Sequence, residues 1–425
     1  MKSAHFILLL VFFTGLSGFS QDAPMVSLDS CRKLALARHP LAAAEQMYHD
    51  IYALKESALS KNYLPQATLS GQASWQSEVT SLPIKIPNVN IPQLPNDNYR
   101  LSLDINQLIW DGGATQKQKA ADESAMQLSI AETGIDLQRI AEAVDATYFS
   151  ILVYNESERL ILSSMETIQA RLGKARAGIA SGSSLQMHAD VLEAEIIRLE
   201  QSLTDIRYNR NAGIYRLSEL TGLVDINAGS LAMPETDELP EFTGWSRPEY
   251  RMFGLQKTQL EKQKELIGIK TMPRVSAFGN MGYGRPGLNM LSDSFEPWAM
   301  VGLRFSWNFW DWNITRTQRQ VVDVQTSIAD ARKAAWEQNQ RMVVNNYRQE
   351  MLKIENQIAA SHRIVGLRKS VAAAAAAQLD QGVITPSEFL AEQNALTQAE
   401  LNLSIQRIML QMARLNYINA FKGSF

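Results

Sequence analysis

Two periodicities alternate along this chain, and each occurs in both halves. In residues 67–76 apolar and polar positions alternate, with Ala67, Leu69, Gly71, Ala73 and Trp75 on one side and Thr68, Ser70, Gln72, Ser74 and Gln76 on the other. Residues 275–284 repeat this, setting Val275, Ala277, Met281 and Tyr283 against Ser276, Asn280 and Gly282. Two further alternating stretches, "LSLDINQLIWDGG" and "VGLRFSWNFWDWN", line up Leu101, Leu103, Ile105 and Ile109, then Val301, Leu303, Phe305, Trp307 and Phe309. Period two predicts strands over 66–76, 100–110, 274–284 and 299–310. About ten residues is the length of a tilted strand that crosses a bilayer.

After Trp110-Asp111 and Trp310-Asp311 the period lengthens to that of a helix. Residues 114–172 contain no Pro and only Gly134, and residues 314–381 no Pro and only Gly366. Apolar positions recur at helical spacing, as in Ile140, Val144, Tyr148 and Ile151, and in Val343, Tyr347, Met351, Ile354 and Ile358. At about 1.5 Å per residue such helices run on the order of 90–100 Å. A glycine-containing tip follows each, and the chain returns with a +4, +3 rhythm: Leu192, Ile196, Leu199, Leu203, Ile206 and Leu401, Ile405, Ile408, Met412, Leu415. That rhythm is a coiled-coil seam. Shorter helices are expected over 42–62 and 250–270, each ended by the proline that follows.

These parts form a duplicated unit. His39-Pro40 and Leu64-Pro65 recur at an offset of 208 as Arg247-Pro248 and Met272-Pro273; the Trp-Asp pairs recur at 200; "GIASGSSL" at 178–185 faces "GVITPSEF" at 382–389 at 204. The drift is assigned to loop-length changes. The expected organisation is a leader over 1–20, a first repeat over 21–235 and a second over 236–425.

Composition narrows the reading without changing it. A net charge of −3 offers no basic excess for nucleic acid. The apolar run from Phe6 to Phe13 reads as a secretory leader, too short to span a membrane. Cys31 is the sole cysteine, which excludes an internal disulfide and a cysteine metal site; it is assigned to the first helix and not to a lipidated N-terminus. The five histidines, His188 beside the first tip among them, lack metal-ligand spacing. "GYGRPG" at 282–287 has no Lys and no helix behind it, so a phosphate cradle is excluded. No catalytic constellation assembles, no cofactor is expected, and the chain is expected not to be an enzyme.

Four strands with one apolar face cannot hide their edges in lipid; a spanning sheet must close, with at least about eight strands. Three chains would supply twelve, wide enough for an aqueous lumen. Trp75, Tyr283, Trp307 and Phe309 on the apolar face near the strand ends fit an interfacial girdle.

The order of parts resembles the TolC family of bacterial outer-membrane efflux proteins. The resemblance is carried by "SLDSCRKLALARHPLAAAEQ" at 27–46, the Leu-Pro strand starts, the Trp-Asp-Gly-Gly junction and the duplicated tips, and it covers essentially the whole chain after the leader. It implies a mixed α and membrane-β fold: a homotrimer with a twelve-stranded transmembrane β-barrel in the outer membrane, four strands per chain, continued by a long α-helical coiled-coil barrel into the periplasm. It implies an exit duct of a tripartite efflux or type I secretion system, with a periplasmic adaptor and an inner-membrane pump as partners. Adaptor docking maps to Gly178, Ile179, Ala180 and Ser181 and to Gly382, Val383, Ile384 and Thr385. Of the two acids that line the constriction in family members, Glu388 matches one and Ala391 stands at the other, with Glu392 facing elsewhere. The family's Arg–Tyr–Asp latch would fall on Ile384 and Leu379, which cannot form it, so an apolar closure is expected. Trp110, Asp111, Gly112 and Gly113, with Trp310 and Asp311, mark the junction of barrel and tunnel, with Trp at the interface, Asp as N-cap and Gly as swivel. Because Trp312 and Asn313 replace the glycines, the two junctions need not bend alike.

Two other readings compete. A soluble periplasmic coiled-coil adaptor explains the helices and tips but not two pairs of ten-residue strands. A surface receptor would use the loop carrying Pro83, Pro87, Pro92 and Pro95. The cargo is not legible.

Overall fold

The computed structural model describes residues 25–79, 95–224, 226–235, 239–290 and 292–423; the expected leader and Pro83, Pro87 and Pro92 lie outside them. In order the elements are α1 (Leu28–Arg38), α2 (Ala44–Ser60), β1 (Gln66–Trp75), β2 (Asp97–Trp110), α3 (Ala114–Ala180), α4 (Gln186–Thr221), α5 (Pro248–Gly268), β3 (Arg274–Arg285), β4 (Glu296–Ser306), α6 (Ile314–Asp380) and α7 (Pro386–Lys422). The chain divides into two compact units, Met1–Arg38 with Ala143–Asp237 and Leu352–Met412, and His39–Glu142 with Glu238–Met351 and Ala413–Phe425. Each takes segments from both sequence repeats.

The second unit carries an antiparallel sheet in the order β1-β2-β3-β4. β1 pairs with β2 from Gln66↔Asn106 to Trp75↔Asp97. β3 pairs with β4 from Arg274↔Ser306 to Tyr283↔Pro297 and one pair beyond. The register gathers Ala67, Ile105, Gly279 and Val301 into one cross-strand row and Leu69, Leu103, Met281 and Ala299 into the next, so one face is continuously apolar. It is also bare: Val301 is 84% and Leu303 73% exposed. The opposite face is polar, with Asn280 donating to Asp104 and Ser102 donating to the same carboxylate at 3.2 Å.

Aromatic rings also lie on that polar face, which alternation alone did not show. Trp298 pairs with Gly282 and Phe278 with Gly302. A Cβ on either glycine would come within 2.7 Å of the facing ring, and at 282 within 2.5 Å of the Leu101 carbonyl oxygen, so each ring packs directly against a glycine. Arg100 stands over the Trp298 ring at 5.5 Å and Arg304 over the Phe278 ring at 5.2 Å.

The strands fall within four residues of the expected bounds, and two details of β2 and β4 differ from the expectation. β2 carries a bulge between Leu108 and Trp110, after which Trp110 pairs with Val275. The extra residue moves Trp110 onto the apolar face that Ile109 was expected to occupy. β4 begins at Glu296 and stops at Ser306, leaving Trp307–Trp310 outside it, because its neighbour β3 begins at Arg274 opposite Ser306. Among the remaining contacts of this unit, Phe242, Trp245, Trp336 and Phe421 pack edge to face, and the Ser246 amide donates to the Phe421 carbonyl at 2.9 Å.

In the first unit α1 buries Leu28, Cys31, Arg32 and Ala35, a single helical stripe. Burial pushes the Cys31 thiol up to about 11, so it is protonated and inert. Arg32 donates to both Asp145 oxygens at 2.6 Å. The Tyr148 hydroxyl lies 2.7 Å from the Val26 carbonyl and 2.6 Å from that of Ala232, tying in the Val26↔Leu231 bridge. The core of this unit joins all four long helices: Ile161, Ile168 and Leu172 of α3, Leu192, Ile196, Leu199 and Leu203 of α4, Ala375 of α6, and Phe389 and Leu390 of α7. The predicted seam is the buried stripe of α4. Replacing Asp145 with Ala leaves the buried Arg32 guanidinium only the exposed Asp29, at 3.7 Å, which should lower stability by about 3 kcal/mol, seen as a lower unfolding temperature in detergent; an unchanged midpoint would remove this pair from the stabilising contacts.

Candidate functional sites at the strand–helix junctions and the hairpin tips

Each strand-to-helix junction turns on an aspartate. Asp111 accepts from the amides of Gly113 at 2.9 Å and Thr115 at 2.7 Å and from the Tyr63 hydroxyl at 3.0 Å. Asp311 accepts from the Thr315 amide at 2.8 Å. Both carboxylates therefore satisfy amides that a helix start leaves free. Burial alone would raise the Asp111 pKa, but the bonds from Thr115, Tyr63 and Gly113 outweigh it and hold the carboxyl below its usual range.

The two junctions bend alike although their residues differ. Gly112 and Gly113 have φ of 70° and 88°, and Trp312 and Asn313 have φ of 54° and 64°. Asparagine tolerates this left-handed region; for tryptophan it costs on the order of 1–3 kcal/mol. Glycine is required at 112, where a Cβ would lie 2.6 Å from the Cβ of Met272. Trp312 escapes that collision because it is 80% exposed, packing edge to face on Trp310 at 5.6 Å.

The tips also correct the alignment. The left-handed glycines are Gly182, with φ of 74°, and Gly382, with φ of 71°. Turn bonds recur at an offset of 200: Gly182 and Gly382 amides donate to Ile179 and Leu379, Ser183 and Val383 amides to Gly178 and Gln378. Gly178, Ile179 and Ala180 therefore end α3. The residues equivalent to Gly382, Val383, Ile384 and Thr385 are Gly182, Ser183, Ser184 and Leu185. The offset of 204 followed the wrong glycine.

Glu388 has a local partner that sequence reasoning missed. It accepts from the Thr385 amide at 2.7 Å and hydroxyl at 2.9 Å, while its own amide donates to the Thr385 hydroxyl at 3.3 Å. This is a capping box at the start of α7, legible in "TPSE". The Thr385 amide and hydroxyl hold the Glu388 carboxyl below its usual range.

Leu379 and Ile384 each pack against the helical core. Beside them runs an ionic link that the sequence did not reveal. Asp380 pairs with Arg171 and with Lys174, the latter at 3.1 Å, and Arg171 stands 5.6 Å from the Phe389 ring. Arg171 first and Lys174 second hold the Asp380 carboxyl low. Between the tips lies a cleft of about 530 Å³ lined by Lys174, Gly178, Ser184, His188, Gln381 and Val383 among others. Among the described residues no helix is long and apolar enough to cross a membrane, and no group of three or more His, Cys, Asp or Glu is placed to hold a metal ion.

A four-stranded sheet feeding two helices of 67 residues defines a class, and solved structures identify it. The fold matches the outer membrane protein VceC of Vibrio cholerae with a TM-score of 0.69 at 15% identity, over 93% of this chain and 96% of that one. It matches the CmeC outer membrane channel of Campylobacter jejuni at 0.66 and 14%, over 94% and 86%. It matches the MtrE outer membrane channel of Neisseria gonorrhoeae, solved in its open state, at 0.69 and 14%, over 93% and 89%. No protein-family pattern and no curated protein sequence matches. The chain therefore has the TolC-like channel fold, nearly end to end.

Asp111→Ala should lower stability by about 2 kcal/mol through the lost cap and the stranded Tyr63 hydroxyl, and Asp311→Ala by less, in thermal unfolding. The depressed Asp111 carboxyl stabilises the fold above the ordinary aspartate pKa. That contribution is lost as pH falls through the lower folded value, so the wild type should lose more stability on acidification than Asp111→Ala does. Equal pH dependence would contradict this assignment.

Proposed function

We propose that this chain is the outer-membrane exit duct of a tripartite efflux or type I secretion system, acting as a homotrimer. The observation that carries the reading is the sheet: four antiparallel strands with one continuous, exposed apolar face and a polar reverse, joined through Asp-capped turns to two 67-residue helices. Such a face is stable against lipid, and its edge strands require partners there. The likeness to solved outer-membrane channels supports the same reading. Three copies would close a twelve-stranded barrel with the polar face inward, continued into the periplasm by the helices. The duct is passive; an inner-membrane pump supplies the energy, and lumen charges set selectivity.

The tips are the docking surface for the periplasmic adaptor, through Gly382, Val383, Ile384 and Thr385 and the equivalent Gly182, Ser183, Ser184 and Leu185, with Ile179, Ala180 and Ser181 beside them. Three copies of Glu388 contribute an acidic ring near the constriction, each carboxylate held by its own Thr385.

Native protein should require detergent for extraction and migrate as a trimer after amine cross-linking, and in planar bilayers it should conduct after release of the tips. A protein that is soluble and monomeric without detergent would support the periplasmic adaptor instead. Deleting the gene should abolish export of at least one substrate class; a pore that stays closed in planar bilayers, with no export defect, would favour a surface receptor. Gly182→Pro with Gly382→Pro should stop export while trimers remain in the membrane, since proline cannot adopt a positive φ.

A further inference from the structure

The duplication supplies a prediction that a single chain does not display: how β4 of one copy pairs with β1 of the next. The two hairpins show that the repeat holds at the level of individual residue pairs. β1 and β3 both begin one residue after a proline, Pro65 and Pro273, an offset of 208, while the junction aspartates Asp111 and Asp311 fix the offset of β2 and β4 at 200. With those offsets the observed pair Gln66↔Asn106 predicts Arg274↔Ser306, and Trp75↔Asp97 predicts Tyr283↔Pro297. Both are present.

The seam between the repeats, β2 against β3, is also observed, with Leu101↔Tyr283, Leu103↔Met281, Ile105↔Gly279 and Leu108↔Ser276. Only one strand pair of the unit is left without its counterpart, β4 against β1, because these are the two edge strands of the sheet.

We propose that a second copy of this chain occupies the β4 edge with its β1 in the register Val301↔Trp75, Leu303↔Ala73, Phe305↔Gly71 and Asn308↔Thr68, extending β4 through Trp307 to Trp310. This rests on the assembly proposed above and goes beyond it in naming the register. Chemistry supports it independently of the offsets. The pairing sets Arg304 against Gln72, Ser306 against Ser70 and Asn308 against Thr68 on the polar face, and only apolar residues and glycine meet on the other. A slip of one residue would mix the faces. The register also explains why β4 ends early. Residues 107–110 of β2 run past the end of β1 and are strand only because β3 pairs with them. Residues 307–310 run past β3 in the same way, and their partner is on the next copy.

The seam between copies repeats the ladder but not the contact at its foot. Within the chain Gly112 lets the backbone approach Met272 to a distance that no Cβ fits. Between copies that place is filled by Trp312, facing the next copy's equivalent residues, Leu64 and Pro65. The assembly thus has two kinds of seam, tight at the junction within a chain and wedged by tryptophan between chains.

The test is disulfide trapping of the full-length protein in outer membranes. Asn308→Cys with Thr68→Cys, and separately Ser306→Cys with Ser70→Cys, should form inter-chain disulfides on mild oxidation. Paired strands bring such residues within disulfide distance. Ser306→Cys combined with Thr68→Cys or Gln72→Cys, each displaced by two residues, should react about tenfold more slowly. Faster reaction of a displaced pair would overturn the register while leaving the trimer intact. Absence of every disulfide from protein that amine cross-linking shows to be trimeric would overturn the seam itself. Absence of both disulfides and trimers would overturn the duct reading with it. Both native pairs replace small polar residues, so the folding of one does not depend on the other.

Discussion

A β-strand carries a peptide donor and acceptor at each residue, and half of them point sideways out of the sheet edge. In water an edge is tolerable; in hydrocarbon each unmade bond costs several kcal/mol. The β1–β4 sheet has two edge strands and an exposed apolar face, and in the proposed membrane setting it meets this constraint at both edges. The other features follow from it. In the proposed barrel the second repeat supplies partners that one hairpin would lack, and the polar face would line the inside. The junction aspartates exist because the chain must leave the sheet and start a helix within three residues without stranding amides.

Much of this was legible in the sequence because it is periodic. Alternation located the strands to within a few residues, and the missing prolines and glycines of 114–172 and 314–381 located the long helices. The seam at Leu192, Ile196, Leu199 and Leu203 is buried where the heptad puts it. What was not legible depends on partners distant in sequence. Nothing near Asp111 indicates that Tyr63 caps it, and nothing near Asp380 announces Arg171 and Lys174. Residue type at Trp312 and Asn313 left the bend open; the structure gives both junctions the same left-handed turn. The tips were misaligned because the more conspicuous glycine, Gly178, lies within a helix, whereas the bond pattern picks out Gly182. The capping box at Glu388 was legible in "TPSE".

The polar face of the sheet has a texture of its own. Trp298 and Phe278 are large rings on this face, and they pack against Gly282 and Gly302, where a Cβ would come within 2.7 Å of them. The guanidinium groups of Arg100 and Arg304 then rest on the rings, so their charge is held close to the wall. The glycines here serve packing and not backbone freedom; replacing one would push an aromatic ring and its arginine away from the wall together.

The equal span of α3 and α6, 67 residues each, limits how the gene can change. Both helices start at a capped junction of one sheet and end in the same turn, and both contribute to one buried core before they do. A single codon inserted into either would rotate everything beyond it by about 100° and advance it by about 1.5 Å, turning core positions outward in one copy only. A lengthening that preserves the packing must enter both copies, or arrive in steps near seven residues that restore the face. Insertions and deletions in this gene should therefore be confined to the strand-connecting loops and the segments flanking α5, and helix length should vary only as a matched pair.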